Sequence, residues 1–271
     1  KIFIARMLLR GLMILKKDKS SIVEAKRNGI VYRLDLMEGI DLAIFLGVYE
    51  VGTIRAYTKI IKEGDHVVDV GANIGAHTLR FADLVGGTGK VTAFEPTDYA
   101  FGKLSRNVQL NPRLSPRIVL NQMMLMDTDR SSGPMPQVYS SWPLVQSEDV
   151  HPGHFGKKME TAHATSTTLD TYIEMNGIPK VDFMKIDVDG YEYQVLKGAV
   201  STIKRCHPVI IMELSPYVLK ETGHNLGEIL DVFGEVGYRM KYMNSGRPLP
   251  SDIDSLMKLI PEGASQNIIA C

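Results

Sequence analysis

Residues 66–81, HVVDVGANIGAHTLRF, change character half-way. A β-branched apolar run ends at Asp69, Gly71 and Gly75 bracket three residues, and helical spacing follows. Such a strand–turn–helix junction belongs to an α/β unit, whose ligands gather beyond the carboxyl ends of the strands. From Asp65 on, β-branched runs alternate with helical patterns, the mark of a mainly parallel sheet. Strands are expected at 66–70, 90–95, 117–126, 181–187, 208–214, 238–243 and 266–271, with helices near 74–84, 99–110, 191–203 and 226–236. The last two strands have no clear helix between them, which permits an antiparallel edge strand.

Before the junction, Asn28-Gly29 separates two strand-prone runs and predicts a hairpin. Residues 38–61 read as helical. The apolar segment 1–17 is shorter than a bilayer span and is interrupted by Arg6 and Arg10. It is expected to pack as a helix on the domain or on a second copy of the chain, or to touch a membrane surface weakly, without spanning it. The expected division is an extension over residues 1–60 and one domain over 61–271. The connection 128–165, rich in Ser, Pro, Gly and His and holding Trp142, is long enough to be a lid over an acceptor.

Lys plus Arg and Asp plus Glu are both 31, so the bulk attraction used by most nucleic-acid binders is missing. Cys206 and Cys271 are too few for a disulfide scaffold, which points to a reducing, cytoplasmic setting.

A dinucleotide would want G-x-G-x-x-G, but Asn73 and Ala76 stand at the second and third glycine positions, and no P-loop lysine follows. What remains is a nucleoside ligand without phosphates. Glu95 in VTAFEP lies roughly 20 residues after Gly71, the offset at which an acid meets ribose hydroxyls. Asp69 can face an amine, and the helix start near Ile74 offers N–H groups to a carboxylate. Ribose, ammonium and carboxylate together describe S-adenosyl-L-methionine (AdoMet).

The sequence resembles the FkbM family of class I, AdoMet-dependent methyltransferases. The resemblance rests on Gly47-Val48-Tyr49-Glu50, DVGANIGAHT (69–78), FEP (94–96), Leu104 to Asn107, Thr168-Leu169-Asp170, KIDVDGYE (185–192), VLKGA (195–199) and PVIIMEL (208–214). The family usually has Glu where this chain has Asp189. The resemblance implies a Rossmann-like fold with helices on both faces of a seven-stranded sheet. It places Asp69, Gly71, Ala72, Asn73, Gly75 and Thr78 around the methionine part, and Glu95 with Pro96 at the ribose. Asn121 is its candidate for the adenine edge, and Glu50 approaches from the preceding helix.

Methyl transfer to a hydroxyl needs a nucleophile held in line and a group that takes its proton. Asp187 ends the fourth strand, with Lys185 on the same strand face and Glu213 nearby; together with His163 they are the candidate catalytic residues. Two mechanisms are open: a metal-free one with Asp187 or a loop histidine (His151, His154 or His163) as base, and one in which Asp187, Asp189 and Glu213 hold Mg2+. Structural readings stand beside these: Glu213 could pair with Lys185, Thr168 could cap a helix whose dipole meets Asp170, and Met123, Met124 and Met126 read as core. The expected activity is O-methylation of a small molecule such as a sugar, polyketide or other secondary metabolite. RNA 2′-O-methylation and a non-catalytic AdoMet-binding module are the alternatives.

Overall fold

A computed structural model describes residues 20–129, 135–145, 149–151, 155–261 and 263–271. Segment 1–17 and His154 lie outside them. The chain opens with the hairpin β1 (Ile22–Arg27) and β2 (Ile30–Asp35), turned by Asn28 and Gly29 at φ 50° and 86°. The expected single helix at 38–61 is two: α1 (Gly39–Leu46) and α2 (Val51–Thr58). Gly47 ends α1 left-handed at φ 72°, its N–H donating to Ile44 O and that of Val48 to Ala43 O, so the apolar periodicity continues while the backbone does not.

The sheet strands follow: β3 (His66–Val70), then α3 (Ala76–Leu84), β4 (Lys90–Phe94), α4 (Asp98–Gln109) and β5 (Ile118–Asn121). The expected strand 117–126 breaks at Gln122, and its second half, β6 (Met123–Leu125), leaves the sheet. The long connection holds β7 (Val138–Ser141) and β8 (Lys157–Met159), which pair antiparallel, and β9 (Thr165–Thr167), which runs parallel to β6. Then come α5 (Leu169–Met175), β10 (Phe183–Ile186), α6 (Glu192–Lys197), α7 (Val200–Cys206), β11 (Val209–Leu214), α8 (Pro216–Glu221), α9 (Leu226–Glu235), β12 (Met240–Tyr242), α10 (Ile253–Leu259) and β13 (Gln266–Ala270). The seven sheet strands lie in the order β12-β13-β11-β10-β3-β4-β5, the last five mutually parallel.

Two expectations need correction. The antiparallel strand is β13, which lies one place in from the edge, because it runs between β11 and β12 and opposes both. A helix, α10, does separate the last two strands; Asp252 caps it by accepting from Ser255 N at 2.8 Å. Asp170 stands in the first turn of α5, which Thr168 caps, yet its carboxylate accepts from Ser201 N and Thr202 N and so caps α7.

Strand alternation sends Val68, Val70, Met184, Ile186, Met212 and Leu214 to one core and Val67, Phe183 and Ile211 to the other. Asp69 and Lys185, register partners on β3 and β10, are two residues beyond Val67 and Phe183 and share the second face. The hairpin seals that face: Asn107 Oδ1 accepts from Arg33 N at 2.8 Å and Asn111 Oδ1 from Val31 N at 2.9 Å. Two amides one helical turn apart thus satisfy β2 where a third strand would otherwise pair. Among the described residues no helix is long and apolar enough to cross a membrane.

The expected helix 191–203 divides at Gly198, where a Cβ would lie 2.0 Å from the carbonyl oxygen of Met126. Gly198→Ala therefore forces backbone apart. A loss of about 2–4 kcal/mol in urea unfolding is expected, and a change below about 0.5 kcal/mol would contradict this packing.

Candidate functional site

Three residues of the β3–α3 loop are left-handed: Gly71 at φ 80°, Asn73 at 47° and Gly75 at 88°. A Cβ on Gly71 would stand 1.8 Å from the carbonyl oxygen of Asp187, so bareness here lets two strand-end loops cross. One on Gly75 would meet Leu104 of α4 at 2.7 Å. Asn73 donates its N–H to Glu95 Oε2 at 2.9 Å and its amide to the Ser140 carbonyl, tying the loop to β4 below and β7 above. Asn107, which holds the hairpin, also donates to Ile74 O at 2.9 Å.

A buried layer of charge lies under this loop. Asp69 is fully buried; Thr78 donates to its Oδ2 at 2.6 Å, and Oδ1 has no partner. Burial pushes its carboxyl up, against the pull of Lys185 and His77. Lys185 is likewise buried and donates to Asp187 Oδ2 at 2.7 Å. Burial favours its neutral form, but Asp187, Glu50 and Asp69 outweigh that and hold its ammonium above the ordinary value.

Glu50, left-handed at φ 36°, meets His77 Nε2 at 3.1 Å, while His77 Nδ1 meets Tyr57 Oη at 3.2 Å. Burial raises the Glu50 carboxyl, yet His77, Lys185 and the Thr53 hydroxyl together hold it well below the usual range. Burial keeps the Tyr57 hydroxyl protonated. An ionised Glu50 can only accept, so the hydrogen between them is carried by His77 Nε2. Glu95 accepts from Thr97 N and Oγ1 at Oε1 and from Asn73 N at Oε2, which leaves Oε2 a free lone pair.

The carboxyl ends of β10 and β11 are acidic. Asp189 is left-handed at φ 45°, and burial followed by Asp187, Glu192 and Glu213 pushes its carboxyl well up. Burial and Asp187 push Glu213 to about 7 while Ser265 donates to it. Glu192 is buried and accepts from Gly190 N at 3.0 Å; burial raises it to about 7.

A cavity of about 1270 Å³ runs across these strand ends. Its wall includes Glu50, Gly71, Ala72, Asn73, Glu95, Pro96, Asp187, Asp189 and Glu213 from the expected set. Asp69, Gly75, Thr78 and Lys185 stand behind that wall. Asn121 is turned away: its amide donates to Ala93 O and its oxygen accepts from Tyr172 Oη. His163 is on the outer surface, 80% exposed and paired with Asp98, and His151 pairs with Glu221. Lys185 binds Asp187 in place of the anticipated Glu213. Asp187, Asp189 and Glu213 form no metal-holding group; none of three or more His, Cys, Asp or Glu occurs among the described residues.

Sequence reasoning missed several wall residues, among them His77, Tyr49, Met123, Leu125 and Ser265. The methionines read as core because apolar filling and an apolar pocket wall use the same residues. His77 alone carried a signal, a polar side chain on the inward face of α3 beside Thr78.

The sequence matches the methyltransferase FkbM domain over residues 69–240. This chain belongs to the FkbM methyltransferase family. Among its relatives is hexuronic acid methyltransferase AglP of Haloferax volcanii, 28% identical over 165 residues, covering 60% of this chain and 61% of the relative. Methyltransferase sdnD of Sordaria araneosa is 28% identical over 158 residues, with coverages of 49% and 59%. The chain thus spans about three fifths of the length of the curated relatives it matches. Among solved structures, methyltransferase FkbM from Methylobacillus flagellatus is similar at a TM-score of 0.46 and 16% identity, over 78% of this chain and 44% of that one.

A carboxyl raised from 4.5 in the unfolded chain to about 7 in the fold costs no stability below the lower value. The cost grows as pH rises between the two and is complete above about 7. Glu192→Gln removes that cost and keeps an acceptor for Gly190. Its stability relative to the parent is therefore expected to be near unchanged at pH 4.5 and higher by on the order of 2 kcal/mol at pH 8, read from urea midpoints. An equal difference at both pH values would refute the raised carboxyl.

Proposed function

We propose that this FkbM-family chain is an AdoMet-dependent O-methyltransferase acting on a hydroxyl of a small molecule: a sugar, a polyketide or another secondary metabolite. One observation carries the reading. The Glu95 carboxylate at the end of β4 and the Asp187 carboxylate at the end of β10, held from behind by Lys185, open into one cavity, on either side of the crossed β3–α3 loop. The residues fit the cofactor. Glu95 keeps a free lone pair for a ribose hydroxyl, the buried Asp69 Oδ1 is unpartnered, and Glu50 is held ionised in the wall facing a cationic amino acid moiety.

When bound, AdoMet supplies an electrophilic methyl group on a sulfonium. The chain's own residues hold the acceptor hydroxyl and receive its proton. Lys185, kept protonated by three carboxylates, donates to Asp187 Oδ2 and fixes that side chain, so that Oδ1 is left for the hydroxyl. As the oxygen attacks, its proton passes to Oδ1. Tyr57 and His77 orient Glu50, and the β7–β8 strap with Trp142 excludes water. In this reading residues 61–271 are the transferase unit, and α1 with the turn to Glu50 before them forms one cavity wall. Asn121 and His163, committed elsewhere, take no part, and no step is routed through a metal. The hexuronic acid named for the haloarchaeal relative is that protein's substrate and is not carried over to this chain.

Calorimetry should detect AdoHcy binding, and Glu95→Ala should weaken it by about 10–100-fold. Asp187→Asn should lower kcat by at least about 100-fold and leave the AdoMet Kd within about threefold. Unchanged turnover in that variant removes Asp187 as base; absence of AdoHcy binding removes the cofactor.

A further inference from the structure

The cavity is larger than one ligand needs, since small-molecule pockets run to roughly 1,000 Å³ and this one is about 1270 Å³. Its wall crosses β4, β3, β10, β11 and the start of β13, neighbours about 4.8 Å apart, so it extends about 19 Å beyond the ribose-side acid. Two features mark the part that the cofactor would leave open.

One is an apolar wall built before any ligand arrives. Ile40, Ala43 and Leu46 of α1 line the cavity side by side with Trp142 and Leu144. The two segments are stitched together: Gly39 donates to Trp142 O at 2.8 Å, Leu144 N to Met37 O at 2.8 Å, and Ser141 Oγ to Glu38. At the mouth Val48 is 62% and Leu46 37% exposed although both line the cavity. Apolar surface concentrated at a cavity rim is removed from water when an apolar body enters.

The other is the sign of the charge. Glu50, Glu95, Asp187, Asp189 and Glu213 line the cavity, and among the described residues no Lys or Arg does. The nearest cation, Lys185, is behind the wall and committed to Asp187, while His77 is committed to Glu50. Burial, followed by the neighbouring carboxylates, already biases Asp189 and Glu213 toward their protonated forms, and an anion placed beside them would do so further. A carboxylate or phosphate on the acceptor would enter this field without a counter-charge.

Resting on the reading of this cavity as a methyl-transfer site, we infer that the acceptor is an alcohol with an apolar body and no anionic group, its hydroxyl at Asp187 and its body against the wall that α1 and the 142–144 strap form together. Uronates, sugar phosphates and nucleic acid are excluded by charge, and bare sugars are poor ligands for lack of apolar contact. The field tolerates an amine on the acceptor.

The test separates this inference from the cofactor reading. AdoHcy is first titrated into the purified chain; no binding brings down both. The AdoHcy-loaded protein is then titrated at pH 8 with n-hexyl β-glucoside, n-hexyl β-glucuronide and methyl β-glucoside. The hexyl glucoside is expected to bind at least about tenfold more tightly than either of the others. Asp189→Asn with Glu213→Gln should narrow the gap to the glucuronide severalfold, Asn being well suited to the left-handed position 189. Leu46→Ser with Val48→Ser should narrow the gap to the methyl glucoside instead. With AdoHcy bound, three outcomes overturn the acceptor class alone: a glucuronide that binds as tightly as the hexyl glucoside, a methyl glucoside that does so, or a hexyl glucoside that does not bind at millimolar concentration.

Discussion

Everything at the cavity depends on a carbonyl oxygen lying where a side chain would otherwise be. Gly71 brings its bare Cα against the backbone of Asp187, with 1.8 Å between that oxygen and the place of a Cβ. The contact joins the ends of β3 and β10 at the centre of the sheet. It sets the loop carrying Asn73 beside the strand end carrying Lys185 and Asp187. Gly71 N and Ala72 N then both donate to Phe94 O, which draws the end of β4 and Glu95 into the same corner. Three strand ends are thereby held to hydrogen-bond tolerance, the precision a positioned nucleophile requires.

Around that corner the chain buries far more charge than a core normally accepts. Asp69, Lys185 and Glu192 are all nearly inaccessible, and Glu50, Asp187 and Glu213 are partly so. The layer survives because it is mixed in sign at its centre, where Lys185 faces three carboxylates, and because Glu50 accepts a hydrogen bond from His77. Toward β11 the cations run out, and Glu192 and Glu213 are raised to about 7. The gradient from a balanced centre to an acidic flank gives the two ends of one cavity different chemistry.

Much of the architecture was legible. Runs with β-branched or aromatic residues marked every sheet strand, and Asn28-Gly29 marked the hairpin, because a buried pleated sheet and a left-handed turn each demand particular residues. The errors have a common cause. Helix 38–61 and strand 117–126 read as continuous because apolar spacing runs on through Gly47 and Gln122, where tertiary contacts redirect the backbone. The short helix α10 carries too little periodicity to stand out from a loop. The cavity side was legible where motif residues cluster at strand ends, as at Gly71, Asn73, Glu95 and Asp187. It was illegible where the wall comes from afar, as with Leu46, Met123 and Ser265.

The amino-acid sequence by itself determined the class of fold, the strand–glycine–helix junction and the carboxylates that end the strands, since these follow from periodicity and backbone sterics within a few residues. Only the tertiary structure decided which of them meet. It paired Lys185 with Asp187, placed His77 between Tyr57 and Glu50, turned Asn121 toward Tyr172 and left His163 on the surface. Those outcomes depend on how loops and helices distant in sequence pack over the sheet, and a side chain's partners come from that packing rather than from its own neighbours along the chain.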